Sequence, residues 1–122
     1  WHRFDYNVAY KAGYAIQRVL DKQIESAARH LCITQLDGHT TAIINNTANI
    51  SEACNRILED NPEVEVALSY FVKDDGTVIC SIRSRGDVDV SEIAKKRGGG
   101  GHKCAAGFKH KIDNIIGFGI LV

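Results

Sequence analysis

VEVALSYFVKDDGTVICSIRSRG, residues 64–86, is the stretch from which the arrangement of the whole chain can be read. Val64, Val66, Leu68, Tyr70 and Val72 alternate along it, but Ala67 and Phe71 between them are apolar too. A strand with one wet face alternates cleanly, so this one is expected to be buried on both faces. Asp74, Asp75 and Gly76 turn the chain back. Thr77 to Ser84 then reads as a second strand, Val78, Cys80 and Ile82 alternating with Ile79, Ser81 and Arg83.

Working outward, Cys32 to Leu36 and Thr40 to Asn45 read as two strands around Asp37-Gly38, a pair that favours a two-residue hairpin loop. Asn49 or Ser51 can cap a helix over 52–60, with Ala53, Ile57 and Leu58 facing inward, and Asn61-Pro62 stops it. Upstream, Val8, Ala12, Ile16, Val19, Leu20, Ile24, Ala27 and Leu31 recur at threes and fours. That spacing predicts one helix about 36 Å long, weakened near Gly13. Such a helix either lies along the sheet or covers another domain or subunit with part of its stripe. Downstream, Asp89 or Ser91 caps a short helix reaching Lys96, and Gly98 ends it. The order predicts an α/β fold: a mixed β-sheet packed with helices and preceded by a long N-terminal helix. Residues 1–31 are expected to be a linker helix and 32–122 the domain proper.

The chain has 122 residues, enough for one domain, with 44% hydrophobic and 25% charged residues as in ordinary soluble proteins. Cys32, Cys54, Cys80 and Cys104 show no CxxC spacing, which predicts reduced thiols and a cytoplasmic protein. The apolar run Ile115 to Val122 is interrupted by glycine and falls short of the roughly 20 residues of a membrane span. Net charge is zero, which argues against a general nucleic-acid binder. Its distribution is uneven: residues 1–92 carry nine Lys or Arg against fourteen Asp or Glu, and residues 93–122 carry six against one. An anionic partner would be steered to the C-terminal part.

That part contains GGGGHKCAAGF, residues 98–108. Four consecutive glycines cost backbone entropy and give the core no side chains. They are either an idle surface loop or a run of amides open to an anion, to which a helix starting near His102 would add its positive end. Small residues continue through Ala105, Ala106 and Gly107, which favours close backbone packing around a ligand. Neither GK[ST] nor GxGxxG is present, so this is no P-loop or dinucleotide fingerprint. Arg83, Ser84 and Arg85 lie at the end of a strand, where a guanidinium can grip a phosphate in two-point fashion with a hydroxyl beside it. The candidate phosphate-binding set is therefore Arg83, Ser84, Arg85, Gly99, Gly100, Gly101 and His102. Cys104 has no base partner in sequence except His102, and no set of carboxylates and histidines for two metals occurs. The expectation is binding without independent catalysis.

SIRSRG at 81–86 together with DVDVSEIAKKRGGGGHKCAAGF at 87–108 closely resembles the DHHA1 domain, the C-terminal accessory domain of DHH-family phosphoesterases. The nearest branches are bacterial oligoribonucleases that also act on 3′-phosphoadenosine 5′-phosphate, and exopolyphosphatase-related proteins. The resemblance runs from about Thr41 to Ile112. It implies that Arg83 is the arginine of an SxRS signature that contacts substrate phosphate, and Ser84 its companion. Gly100, Gly101 and His102 match a GGH that closes over the nucleotide, and Ala105, Ala106 and Gly107 an AAG that shapes the loop. In that family a separate N-terminal DHH domain, whose motif this sequence lacks, holds two Mn²⁺ ions. The expected partners are a short oligonucleotide or nucleotide phosphate, a cognate DHH domain and a second copy in a homodimer, with no membrane. A dimerisation or regulatory module acting through the long helix, or an RNA-recognition domain, are the alternatives.

Overall fold

The N-terminal stripe forms helix α1 (Tyr6–Ala28) in the computed structural model, which describes residues 6–111. The apolar run Ile115 to Val122 and the first five residues of the expected linker lie outside the described residues. The helix does not lie along the sheet as a full partner. Ile24 is buried, and Ala27 and Leu31 pack beside it, so only the C-terminal end docks on the domain. Val8, Tyr10, Tyr14, Ile16 and Val19 are all more than half exposed.

Strands β1 (Cys32–Leu36) and β2 (His39–Asn45) pair antiparallel around Asp37 and Gly38, whose φ values of 51° and 83° are both positive, as a I′ hairpin turn requires. Helix α2 (Ile50–Asp60) crosses over to β3 (Val66–Val72), which lies parallel to β2. Asn49 holds the cap position but makes no capping bond: its backbone is left-handed, φ 54°, and its amide Nδ2 donates instead to Gln23 Oε1 at 3.3 Å. A cap residue normally has an extended backbone, and the left-handed turn aims this side chain at α1. Strand β4 (Thr77–Ser84) returns antiparallel to β3.

Asp89 does cap α3 (Val90–Lys95), its carboxylate accepting from the Ser91 N–H at 3.0 Å. At the other end Gly98, φ 82°, donates to Lys95 O at 3.1 Å while Gly99 donates to Ala94 O at 2.8 Å, a two-bond glycine stop. Beyond it the structure corrects one expectation. No helix starts at His102: Gly100–His102 is strand β5, paired antiparallel with β6 (Ala105–Lys111) around Lys103 and Cys104. The carbonyls of Lys103 and Cys104, which a helix would commit to its own ladder, accept instead from the N–H groups of Val90 (2.9 Å) and Ser84 (3.1 Å).

The six strands make one mixed sheet in the order β1-β2-β3-β4-β6-β5. One face packs Leu68, Cys80, Ile82, Ala106 and Phe108 against Val90 and Ile93 of α3. The other packs Ala42, Ile44 and Ala67 against Ala53, Cys54 and Ile57 of α2 and the end of α1. Val66 through Ser69 are buried on both faces, as the unbroken apolar pattern required.

Candidate functional site

In the antiparallel register Arg83 of β4 stands opposite Ala105 of β6, and Ala105 opposite His102 of β5. Directly paired residues share a face, so Arg83, Ala105 and His102 form one row across three strands, with the outer two about 10 Å apart at the backbone. The next row along is Ser81, Gly107 and Gly100. Both rows lie on the face turned away from α3, since the intervening Ile82 and Ala106 are in the α3 core. On this face α2 packs chiefly against β3 and β4, so among the described residues β6 and β5 are left largely without a helix over them. A groove of about 450 Å³ lies along β4 and β6, bordered by Ile79, Ser81, Gly98, Gly99, Gly107 and Lys109. Gly98, Gly99 and Gly107 line it without side chains.

Arg83 is half-buried, its Nη1 donating to Ile82 O at 2.9 Å and its Nη2 to Ser51 Oγ at 3.1 Å. The guanidinium thus sits between the sheet and the first turn of α2. His102 is exposed and makes no side-chain hydrogen bond among the described residues. Ser84 does not join them. Period-two alternation puts it on the α3 face, buried, its hydroxyl donating to Val88 O at 2.6 Å and accepting from Gly86 N–H at 3.3 Å. Arg85 shares the face of Arg83, but its guanidinium donates to the carbonyls of Val64, Leu58 and Asn61. It closes the C-terminal end of α2, where unpaired carbonyls and the helix dipole both favour a cation.

The glycines are not equivalent. A Cβ on Gly99 would lie 2.1 Å from Gly107 O, and one on Gly101, φ 148°, 2.5 Å from the Ala106 Cα, so both backbones rest directly on β6. A Cβ on Gly100 would meet nothing within 4 Å. The basic segment is also less free than its sequence suggests. Lys95 pairs with Glu92 at 3.4 Å, and Arg97 grips both oxygens of Asp37 at 3.0 and 3.2 Å, with Lys96 3.8 Å from the same carboxylate. Arg97 also lies over the Phe108 ring, 5.7 Å from its centroid. These hydrogen bonds and charges hold the Asp37 carboxyl below its ordinary value.

Burial pushes the thiols of Cys54 and Cys80 up to about 11 and 12, so neither is a nucleophile at neutral pH. Cys32 and Cys104 are exposed, and all four are free thiols. Among the described residues no group of three or more His, Cys, Asp or Glu is placed to hold a metal ion, and no helix is long and apolar enough to cross a membrane. Sequence offers Ser51 only as a helix cap and does not mark Ser81 as a site residue. The alternation that carries Arg83 also carries Ser81, two residues earlier, whereas Ser51 reaches the site only through the packing of α2.

These features define an α/β domain with helices over most of a mixed sheet and one end of one face left open beside an arginine. Residues 30–118 match the DHHA1 domain, and the chain belongs to that family. It is 32% identical over 89 residues to the oligoribonuclease NrnB of Bacillus subtilis (strain 168), a match that covers 72% of this chain and 22% of that protein. It therefore spans about a fifth of the length of that relative. Among solved structures, an uncharacterized protein from Helicobacter pylori G27 is similar with a TM-score of 0.56 and 28% identity, over 65% of this chain and 22% of that one. A pGpG-specific phosphodiesterase, PggH from Vibrio cholerae, shares the fold with a TM-score of 0.54 at 13% identity, over 85% of this chain and 37% of that one.

Proposed function

We propose that this chain is the phosphate-binding accessory domain of a phosphoesterase that hydrolyses short oligonucleotides or 3′-phosphorylated nucleotides. The single observation that carries this reading is the row Arg83, Ala105, His102 on the open end of the sheet. A phosphate seated over Ala105 has a guanidinium on one side and an imidazole on the other, with Gly100 and Gly107 leaving room for the attached sugar. Ser84 and Arg85 support the site by fixing the end of β4, and Gly99 and Gly101 by holding β5 against β6. The kinship with NrnB, named as an oligoribonuclease, supports the choice of ligand.

Hydrolysis belongs, on this reading, to a DHH domain outside this chain that carries Mn²⁺. The described residues bring together no ligands that fit such ions, and no step is assigned to them. The free thiols agree with a cytoplasmic setting. Titration of the chain with a dinucleotide and with adenosine 3′,5′-bisphosphate tests the proposal. Arg83→Ala and His102→Ala should each weaken binding, the arginine change by at least about tenfold. Unchanged binding in both refutes the site, and turnover on adding Mn²⁺ refutes the division of labour.

A second role has its own observation. Tyr10, Tyr14, Ile16 and Val19, each more than half exposed, give the projecting part of α1 an apolar stripe facing solvent. Helix α1 then acts as a linker whose stripe receives the DHH domain or a second copy of the chain. Sedimentation of the chain with and without Ile16→Asp separates these: a dimer lost by the substitution favours the second copy, and a monomer in both leaves the DHH domain as the occupant.

A further inference from the structure

We infer that the open strip along β6 is a track for the sugar-phosphate backbone of a single-stranded oligonucleotide, Lys109 and Lys111 holding phosphates beyond the one seated between Arg83 and His102. This rests on the reading of that row as a phosphate site and names the ligand more closely. Ala105, Gly107, Lys109 and Lys111 alternate onto the same face of β6 as Arg83, and both lysines are exposed. From Ala105 to Lys111 the strand rises about 20 Å, longer than one nucleotide. Next to the groove over Ser81 and Gly107 lies a second one of about 410 Å³, lined by Lys73, Asp75, Thr77, Lys109, His110 and Lys111, and Lys109 borders both. Among the described residues, Ala105, Gly107 and Ser81 make a floor of small side chains between the cationic ends, with Ile79 at its border.

Among the described residues Asp75 is the one acid lining either groove. Its carboxylate accepts the Thr77 N–H at 3.0 Å, and that bond with Lys73 and Lys111 nearby holds it ionised. Three lysines against one committed carboxylate still favour an anion. Among the described residues Phe108 is the one Phe, Tyr or Trp bordering either groove, and it is buried in the α3 core beneath Arg97. Among the described residues bases therefore find no exposed Phe, Tyr or Trp ring to stack on along the track. Recognition there is of the backbone, indifferent to base sequence and sensitive to salt.

The test compares binding of a tetranucleotide and of adenosine 3′,5′-bisphosphate by the chain and by Lys109→Gln/Lys111→Gln, which keeps most of the aliphatic stems and the strand. The double variant should bind the tetranucleotide at least about fivefold more weakly and lower its salt slope by about 1.4, two contacts at the single-strand increment. Its affinity for the bisphosphate should be unchanged. An unaltered tetranucleotide affinity and slope, or an equal loss for both ligands, overturns the track. If Arg83→Ala leaves both ligands unaffected, or the unmodified chain binds neither at low salt, the phosphate site itself fails and the track falls with it.

Discussion

Nη2 of Arg83 spans from the sheet to the hydroxyl of Ser51 in the first turn of α2, 3.1 Å away. A planar guanidinium can keep that bond and the one to Ile82 O while its remaining N–H groups face a ligand. A lysine at 83 keeps the charge but cannot make the fork. Arg83→Lys should therefore weaken binding of adenosine 3′,5′-bisphosphate by about tenfold without lowering Tm, and calorimetric titration checks it. Ser51→Ala, which frees the guanidinium to swing, should cost a few-fold in the same assay. Full affinity in Arg83→Lys would show that only charge matters at this position.

Arg85 makes the opposite prediction from its neighbour two residues away. Its guanidinium is spent on the carbonyls of Val64, Leu58 and Asn61. Arg85→Ala leaves the end of α2 unsatisfied and should destabilise the fold by about 2 kcal/mol in urea titration. Nucleotide affinity measured well below Tm should be retained. A stable Arg85→Ala protein that has lost binding would place Arg85 in the site instead.

Asp37 and Arg97 tie the first hairpin to the end of α3 across 60 residues. The Arg97 side chain is 10% exposed and that of Asp37 21%, so the pair is only partly screened. The Asp37 carboxyl is lowered from 3.8, chiefly by the Arg97 hydrogen bonds. A depressed carboxyl contributes stability above its unfolded value and loses it as pH falls through the folded one. Asp37→Asn should therefore cost about 1 kcal/mol at pH 7. The gap to the unaltered chain should close as pH drops below 3.8, followed by urea unfolding across pH. A gap that persists in acid would mean the charge is not what the pair contributes.

Much of the architecture lay within reach of local pattern. Asp37-Gly38 specified a turn that the backbone angles bear out. Ala67 among the alternating valines announced a doubly covered strand, and Asp89 and Gly98 marked both ends of α3. What stayed hidden was tertiary. The carbonyls that absorb Arg85 and the carboxylate that neutralises Arg97 come from distant segments, so the basic stretch reads as freer than it is. Ser84 was legible in principle, because the alternation that aims Arg83 at one face aims its neighbour at the other. The glycine run is ambiguous by its chemistry: an amide nest and a strand lying against another backbone both ask for residues without Cβ.

That ambiguity yields the sharpest mutational contrast in the chain. Gly99→Ala would force a methyl to 2.1 Å from Gly107 O, and Phe108 Cα and Cβ, at 2.8 and 2.7 Å, are no easier to move. Gly101→Ala meets the Ala106 Cα at 2.5 Å and needs a backbone, φ 148°, that L-residues avoid. Each should cost about 2 kcal/mol or more, since β5 must lift off β6. Gly100→Ala meets nothing within 4 Å and restricts the unfolded chain, so its stability should be equal or up to about 1 kcal/mol higher. Its methyl nevertheless projects over the row of Ser81 and Gly107, where the ligand's sugar is expected. Gly100→Ala should thus fold as well as the unaltered chain and bind adenosine 3′,5′-bisphosphate more weakly. Thermal unfolding and titration of the same sample separate the two effects. Destabilisation by Gly100→Ala equal to that by Gly99→Ala would mean that close packing alone accounts for the glycine run, with no position reserved for a ligand.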